Sequence, residues 1–254
     1  MKIKLKERNI MQLTEKQKGI TLSLIGVLII TPDSLFIRLI NLPSWELLFY
    51  RGLIPSFCLL VFLCLYYKKN FINSFLVLGL SGLLFSVLVA LGNFTFVLSI
   101  QNTHVANTLI MLALAPFVTA IVSSIFIKEY PTRRMWITIG ACFFSILFIF
   151  YDSYQGNRII GDIFGLLTAF FIGSSAVVVR YSKFNDFIPA LLIAKVFTFL
   201  IPIFLIQNLQ YSLQLNTEQF FLVIIMGICL VIPLACMTIA PRYIPAYEVE
   251  VFFV

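Results

Sequence analysis

The sequence predicts an all-α integral membrane protein laid out as an inverted repeat of five transmembrane helices, with eight full spans, a partial ninth and the tenth absent. Three observations lead there. Hydrophobic residues make up 61% of the chain, charged residues 11%, and the mean hydropathy is +1.02. A soluble domain holds about 45–50% apolar and about 25% charged residues, and one this apolar would expose large sticky patches. The apolar residues also gather in runs of about 20, the length a helix needs to cross a hydrocarbon core of about 30 Å. Finally, the cations collect on alternate connections between those runs, as the positive-inside rule requires.

Residues 1–18 form a polar, basic tail with Lys2, Lys4, Lys6, Arg8, Lys16 and Lys18. The apolar run after it is of full spanning length. A cleavable signal peptide has a shorter apolar core and a small-residue cleavage site, so Ile20 onward reads as the first span. Met1 and Met11 are alternative starts. Runs of spanning size follow at 19–40, 44–66, 72–99, 104–127, 133–151, 161–181, 187–207 and 219–240, and a ninth begins near Pro245 and stops at Val254. The connections are short and polar, such as YYKKN, SIQNTH, KEYPTRR and DSYQGNR. Strands of a membrane barrel would alternate apolar and polar at every second residue. These runs are apolar throughout, so they are helices.

With the N-terminus cytoplasmic, the inner segments hold the tail cations plus Lys68, Lys69, Lys128, Arg133, Arg134, Arg180, Lys183 and Arg242. The outer segments hold Arg38 and Arg158. That asymmetry places the N-terminus inside and the protein in the cytoplasmic (inner) membrane as a multi-pass chain. It also explains the formal charge of +7 without nucleic acid, since no basic stripe with interleaved aromatics occurs. Cys58, Cys64, Cys142, Cys229 and Cys236 are scattered through apolar runs and read as buried free thiols acting as small apolar side chains. A single histidine, His104, is too few for a multi-histidine metal site, and no cofactor is indicated.

Internal repetition divides the chain into a first five-helix repeat, 19–151, and an incomplete second, 161–254. GITLSLIGVLIITPDSLFIR (Gly19 to Arg38) and GDIFGLLTAFFIGSSAVVVR (Gly161 to Arg180) match in length and in their end residues. Ile54-Pro55 recurs as Ile201-Pro202. Helix-breaking positions align as well: Thr31-Pro32 falls opposite Gly173-Ser174, and Gly92 opposite Pro233. An odd number of spans per unit inverts the second copy. Inverted repeats with breaks at matching places imply a secondary transporter with its site at the repeat interface.

Three stretches carry a family resemblance. TPDSLFIR leads into LPSWELLFYRGL; HVANTLIMLALAPFVTAIVSSIFIKEYPTRRMWITIG holds a fourth-helix proline, an acid after it and an aromatic-plus-glycine start to the fifth helix; APRYIPAYEVEVFF has the look of an eighth-to-ninth helix junction. In order and spacing the chain resembles the EamA-type members of the drug/metabolite transporter superfamily over nearly its whole length. The resemblance implies a ten-helix fold of two inverted halves that moves small metabolites by alternating access, with helices one, three, four, six, eight and nine lining a central cavity. Against that pattern the rest of helix nine and all of helix ten are missing. A helix ending in mid-bilayer leaves its last carbonyls unsatisfied, so the expectation is a truncated chain.

The stretch PDSLFIRLINLPSWELLFYR places two acids and two arginines in greasy surroundings. Counted outward from the turn Asn41-Leu42-Pro43, Arg38 and Glu46 share one depth, and Asp33 and Arg51 share a second, deeper one. A charge at mid-membrane costs on the order of 3 kcal/mol, which pairing partly recovers. The expectation is an antiparallel pair of ion pairs, Arg38–Glu46 at the rim and Asp33–Arg51 below. Asp33, beside the Pro32 break, is equally a candidate for binding substrate or a coupling proton. The other candidate substrate contacts are Asn93, Asn107, Ser174, Ser175 and Glu248; interhelical hydrogen bonding accounts equally well for the two amides. Glu250 is set with the cytoplasmic headgroups as readily as with the cavity. Lys195, without an evident local partner, is expected to snorkel to the outer rim. Glu129, beside Arg133 and Arg134, reads as part of a cytoplasmic ion pair.

The leading reading is a transporter of a small organic metabolite or drug, with the lipid bilayer and that solute as partners and a homodimer as one alternative for its assembly. Two other readings stand beside it. One is a non-transporting fragment or half that needs another chain. The other is a membrane-embedded lipid-modifying enzyme, which would want clustered His, Asp or Ser motifs that this chain lacks.

Overall fold

A computed structural model of the chain describes residues 14–130, 137, 140, 158–182, 186–206 and 214–252, and among them every regular element is helical. Several sequence expectations fall outside the described residues. They are the tail cations up to Arg8, most of the expected fifth span with Arg133, Arg134 and Cys142, and both Lys183 and Val254.

Helix α1 (Glu15–Ile30) begins four residues before the apolar run. The cause is a capping box: the Thr14 N–H donates to Gln17 Oε1 at 2.8 Å, and the Gln17 N–H to Thr14 Oγ1 at 3.4 Å. The helix stops at Thr31-Pro32, because proline has no N–H to continue the ladder and its ring crowds the carbonyl four residues back. After the break α2 (Asp33–Ile40) resumes, and it ends on a left-handed Asn41 with φ 47°. Pro43 then leads into α3 (Ser44–Tyr67). A short α4 (Phe71–Leu76) precedes α5 (Gly79–Asn102).

The fourth span is broken too, into α6 (Val105–Leu112) and α7 (Ala115–Phe126), with the gap just ahead of Pro116. Then come α8 (Ile159–Tyr181), α9 (Ile188–Leu205), α10 (Thr217–Ile239) and α11 (Ala246–Phe252). Seven described segments are long and apolar enough to cross a membrane: Glu15–Ile40, Ser44–Tyr67, Gly79–Asn102, Val105–Phe126, Ile159–Tyr181, Ile188–Leu205 and Thr217–Arg242.

The expected break at Gly173-Ser174 does not occur, and α8 runs through it unbroken. Gly173 keeps its amide, so the ladder continues, and its missing side chain serves a close approach instead. A Cβ there would stand 2.8 Å from the Ala115 carbonyl oxygen and 2.8 Å from Thr119 Oγ1. Gly92 and Pro233 likewise lie within continuous helices.

The most extensive packing is α5 on α8, followed by α3 on α9, α1 on α10 and α5 on α9. Polarity is arranged inside out. Leu28, Leu80 and Phe204 are 75%, 82% and 87% exposed, whereas Ser23, Ser86, Thr119, Thr168 and Thr198 are fully buried. Buried hydroxyls join helices: Ser86 Oγ donates to the Ala190 carbonyl at 2.8 Å, and Thr168 Oγ1 to Thr95 Oγ1 at 2.9 Å. Lipid tails are as apolar as leucine, so such contacts and close fit hold spans together where the hydrophobic effect cannot. The four described cysteines are free, but they are not uniformly buried. Cys236 is, while Cys64 lies on an exposed helix face, where lipid offers a thiol the same apolar surroundings as a core.

Candidate functional site

A cavity of about 280 Å³ opens in the middle of the bundle. Its walls come from the α1–α2 break, α5 and α6 on one side and from α8, α10 and α11 on the other, with Arg51 of α3 and Leu191 of α9 added. Phe85, Val89, Phe96, Ile172 and Leu230 make the surface largely apolar. Asp33, Arg51, Asn93 and Glu250 bring charged and amide groups to it, beside the hydroxyl residues Thr31, Ser34, Ser175 and Thr238.

Asp33 is the first residue of α2, so the Pro32 break sets its carboxylate at a helix N-terminus, where the aligned peptide dipoles favour negative charge. Arg51 grips it in a bidentate pair, Nη1 to Oδ1 at 2.5 Å and Nη2 to Oδ2 at 2.6 Å. Both side chains are buried, and the guanidinium carbon lies 5.4 Å from the centre of the Phe96 ring. Bidentate geometry and an aromatic face are what a guanidinium needs when it is removed from water.

Lys195 corrects the snorkelling expectation. It is fully buried, and its Nζ donates to Asn93 Oδ1 at 2.9 Å. The reason is local. A Cβ on Gly52 would stand 2.5 Å from the Phe199 backbone nitrogen and 2.8 Å from the Lys195 carbonyl oxygen, so α3 lies directly against this part of α9. The lysine stem is therefore directed into the bundle, toward α5. Asn93 spends its own amide on the Val89 carbonyl at 2.8 Å.

Glu250 is 2% exposed and lines the cavity from α11, while Glu248 is half-buried and does not line it. Two positions apart on a helix turn side chains by about 200°, onto opposite faces. Asn107 and Ser174 are not lining residues either. The Asn107 amide stands 3.4 Å from Thr103 Oγ1, and the Ser174 hydroxyl is buried without a partner among the described residues. Ser175 does line the cavity, with its hydroxyl donating to the Ile172 carbonyl at 2.7 Å.

The remaining charges lie away from the cavity. Arg38 donates to the Thr103 carbonyl at 2.7 Å, tying α2 to the α5–α6 turn, and Glu46 sits in the first turn of α3. Thr103 Oγ1 in turn donates to Asp162 Oδ1 at 2.8 Å. Glu129 pairs with Arg180, Nη2 to Oε1 at 2.8 Å; Arg133 and Arg134 lie outside the described residues. Arg180 also donates to the Pro241 carbonyl at 3.2 Å, and Asp186 accepts from Arg242 at 3.1 Å and from Tyr67. Among the described residues no three His, Cys, Asp or Glu side chains come together as metal ligands would.

Sequence reasoning missed the Lys195–Asn93 contact and undervalued Glu250. A signal for the second was present. Ala246 lies one turn before Glu250 on the same helix face, and a small residue there marks a face turned toward neighbouring helices.

Seven described segments long and apolar enough to cross a membrane, packed around a part-polar hollow, define a multi-pass membrane protein. Residues 17–151 match the EamA-like transporter family, and the chain belongs to that family. No curated protein matches the chain.

Proposed function

We propose that the chain is a secondary transporter that carries a small organic solute across the cytoplasmic membrane by alternating access, with the N-terminus inside and two inverted five-helix halves around one site. The observation that carries this reading is the mid-bundle cavity, to which the first half contributes Asp33, Arg51 and Asn93 and the second Ser175 and Glu250. The helix packing supports the inversion. Exchanging the halves turns the α5–α8 contact into α10–α1 and the α5–α9 contact into α10–α3, while α3–α9 and α7–α11 map onto themselves, and all of these contacts are present. Breaks in the first and fourth spans beside the hollow support a solute site there, although the first has no counterpart in α8. The orientation rests on Lys68, Lys128, Arg180 and Arg242 at one set of connections against Arg38 and Arg158 at the other.

The full chain reconstituted in phospholipid vesicles is the material for the test, with labelled amino acids, nucleosides and amphipathic amines as a solute panel. Saturable uptake of at least one class is expected, and Met237→Trp, which fills the hollow from α10, abolishes it. Uptake that Met237→Trp leaves intact places the route elsewhere and overturns the reading.

A further inference from the structure

Of the charged groups that line the cavity, Asp33, Arg51 and Glu250, one has no partner among the described residues. Each oxygen of the Asp33 carboxylate accepts from one terminal nitrogen of Arg51. Asp33 balances the Arg51 charge; beyond that pair Nη1 stands 3.8 Å from the Met226 sulfur, and Nε is buried without a partner among the described residues. Lys195 does not line the cavity, and its Nζ donates to the neutral Asn93 carbonyl oxygen. Glu250, by contrast, makes no hydrogen bond and no ion pair with any described residue. Two of the hydroxyls that line the same cavity are engaged by their own helices: Thr238 donates to the Leu234 carbonyl at 2.7 Å and Ser175 to that of Ile172.

An unpaired carboxylate at this depth costs on the order of 3 kcal/mol. Intramembrane acids persist where something supplies the missing charge. The cavity that Glu250 lines offers aromatic and aliphatic surface, Phe85, Phe96, Leu109, Ile172 and Leu234 among it. At about 280 Å³ it lies at the small end of ligand pockets, which span about 300–1,000 Å³. We infer that Glu250 is the charge-recognising residue of the cavity and that the solute is a small organic monocation with an apolar or aromatic body. This rests on the cavity being the solute site. An anionic head would meet cations that are already engaged and would face Glu250 itself. A cationic head supplies the counter-charge that Glu250 lacks at the cavity wall while its body covers the apolar surface. Asp33, for the same reason, holds Arg51 and not the cargo.

Benzyltrimethylammonium and phenylmethanesulfonate are matched probes, similar in size and opposite in fixed charge. With the full chain in phosphatidylcholine nanodiscs, saturable binding of benzyltrimethylammonium is expected, and the sulfonate does not displace it. Glu250→Gln weakens that binding by at least about tenfold, the loss of one charge-assisted contact, while Glu248→Gln changes it less than about twofold. A readout on the unaltered chain stands beside the variants: carbodiimide modification of Glu250, followed by mass spectrometry, is slowed by benzyltrimethylammonium and not by the sulfonate. Equal binding by Glu250→Gln, displacement by the sulfonate, or unprotected Glu250 each overturns the inference. If another solute class is taken up and blocked by Met237→Trp while benzyltrimethylammonium fails to bind, the transport reading stands and this inference alone falls.

Discussion

Asp33 and Glu250 look into one cavity from opposite halves of the chain, yet their circumstances differ. Asp33 has a helix N-terminus behind it and a bidentate arginine in front. Glu250 has a covering of helix and side chain but no counter-charge among the described residues. The difference teaches that burial alone says little about the role of an intramembrane acid. A satisfied carboxylate fastens helices, whereas the one without a partner among the described residues is, on the reading proposed above, where the solute's charge is met.

Substitutions can break or sharpen that contrast. The largest effect is expected from Arg51→Met, which strands the Asp33 charge and lowers stability by about 3–5 kcal/mol, read as thermal unfolding in micelles. Adding Asp33→Asn to it recovers most of the loss. Next comes Gly52→Val, which forces side-chain atoms into the backbone of α9 beside Lys195 and costs about 1–3 kcal/mol in the same assay. Glu250→Gln is expected to go the other way, raising stability by up to about 1 kcal/mol because an unpaired charge is removed. Ser175→Ala, which loses one bond to its own helix, changes stability by about 0.5 kcal/mol. If Arg51→Met proves no more harmful than Glu250→Gln, the two acids are in the same state and the contrast disappears.

The all-helical, membrane-crossing build was legible in the sequence because bilayer thickness alone sets the length of an apolar run. Depth along a hairpin was legible as well, since helix rise and the Asn41–Pro43 turn are local quantities. Azimuth was not. Glu248 and Glu250 differ only in which way a helix face points, and that is decided by neighbours far away in the chain. The same holds for Lys195, whose partner Asn93 is 102 positions distant. Gly173-Ser174 misled for a related reason. A glycine permits a break and equally permits contact, and only the nearness of Thr119 shows which use is made of it.

That last contact bears on how the molecule coheres. The Thr119 hydroxyl lies 2.8 Å from the Ala115 carbonyl oxygen and 3.1 Å from that of Gly173, a rivet shared by two rods. In oil there is no aqueous squeeze to press such rods together, so adhesion follows shape rather than greasiness. One methyl group added at this joint should harm the assembly more than several trimmed from the surface that meets the lipid.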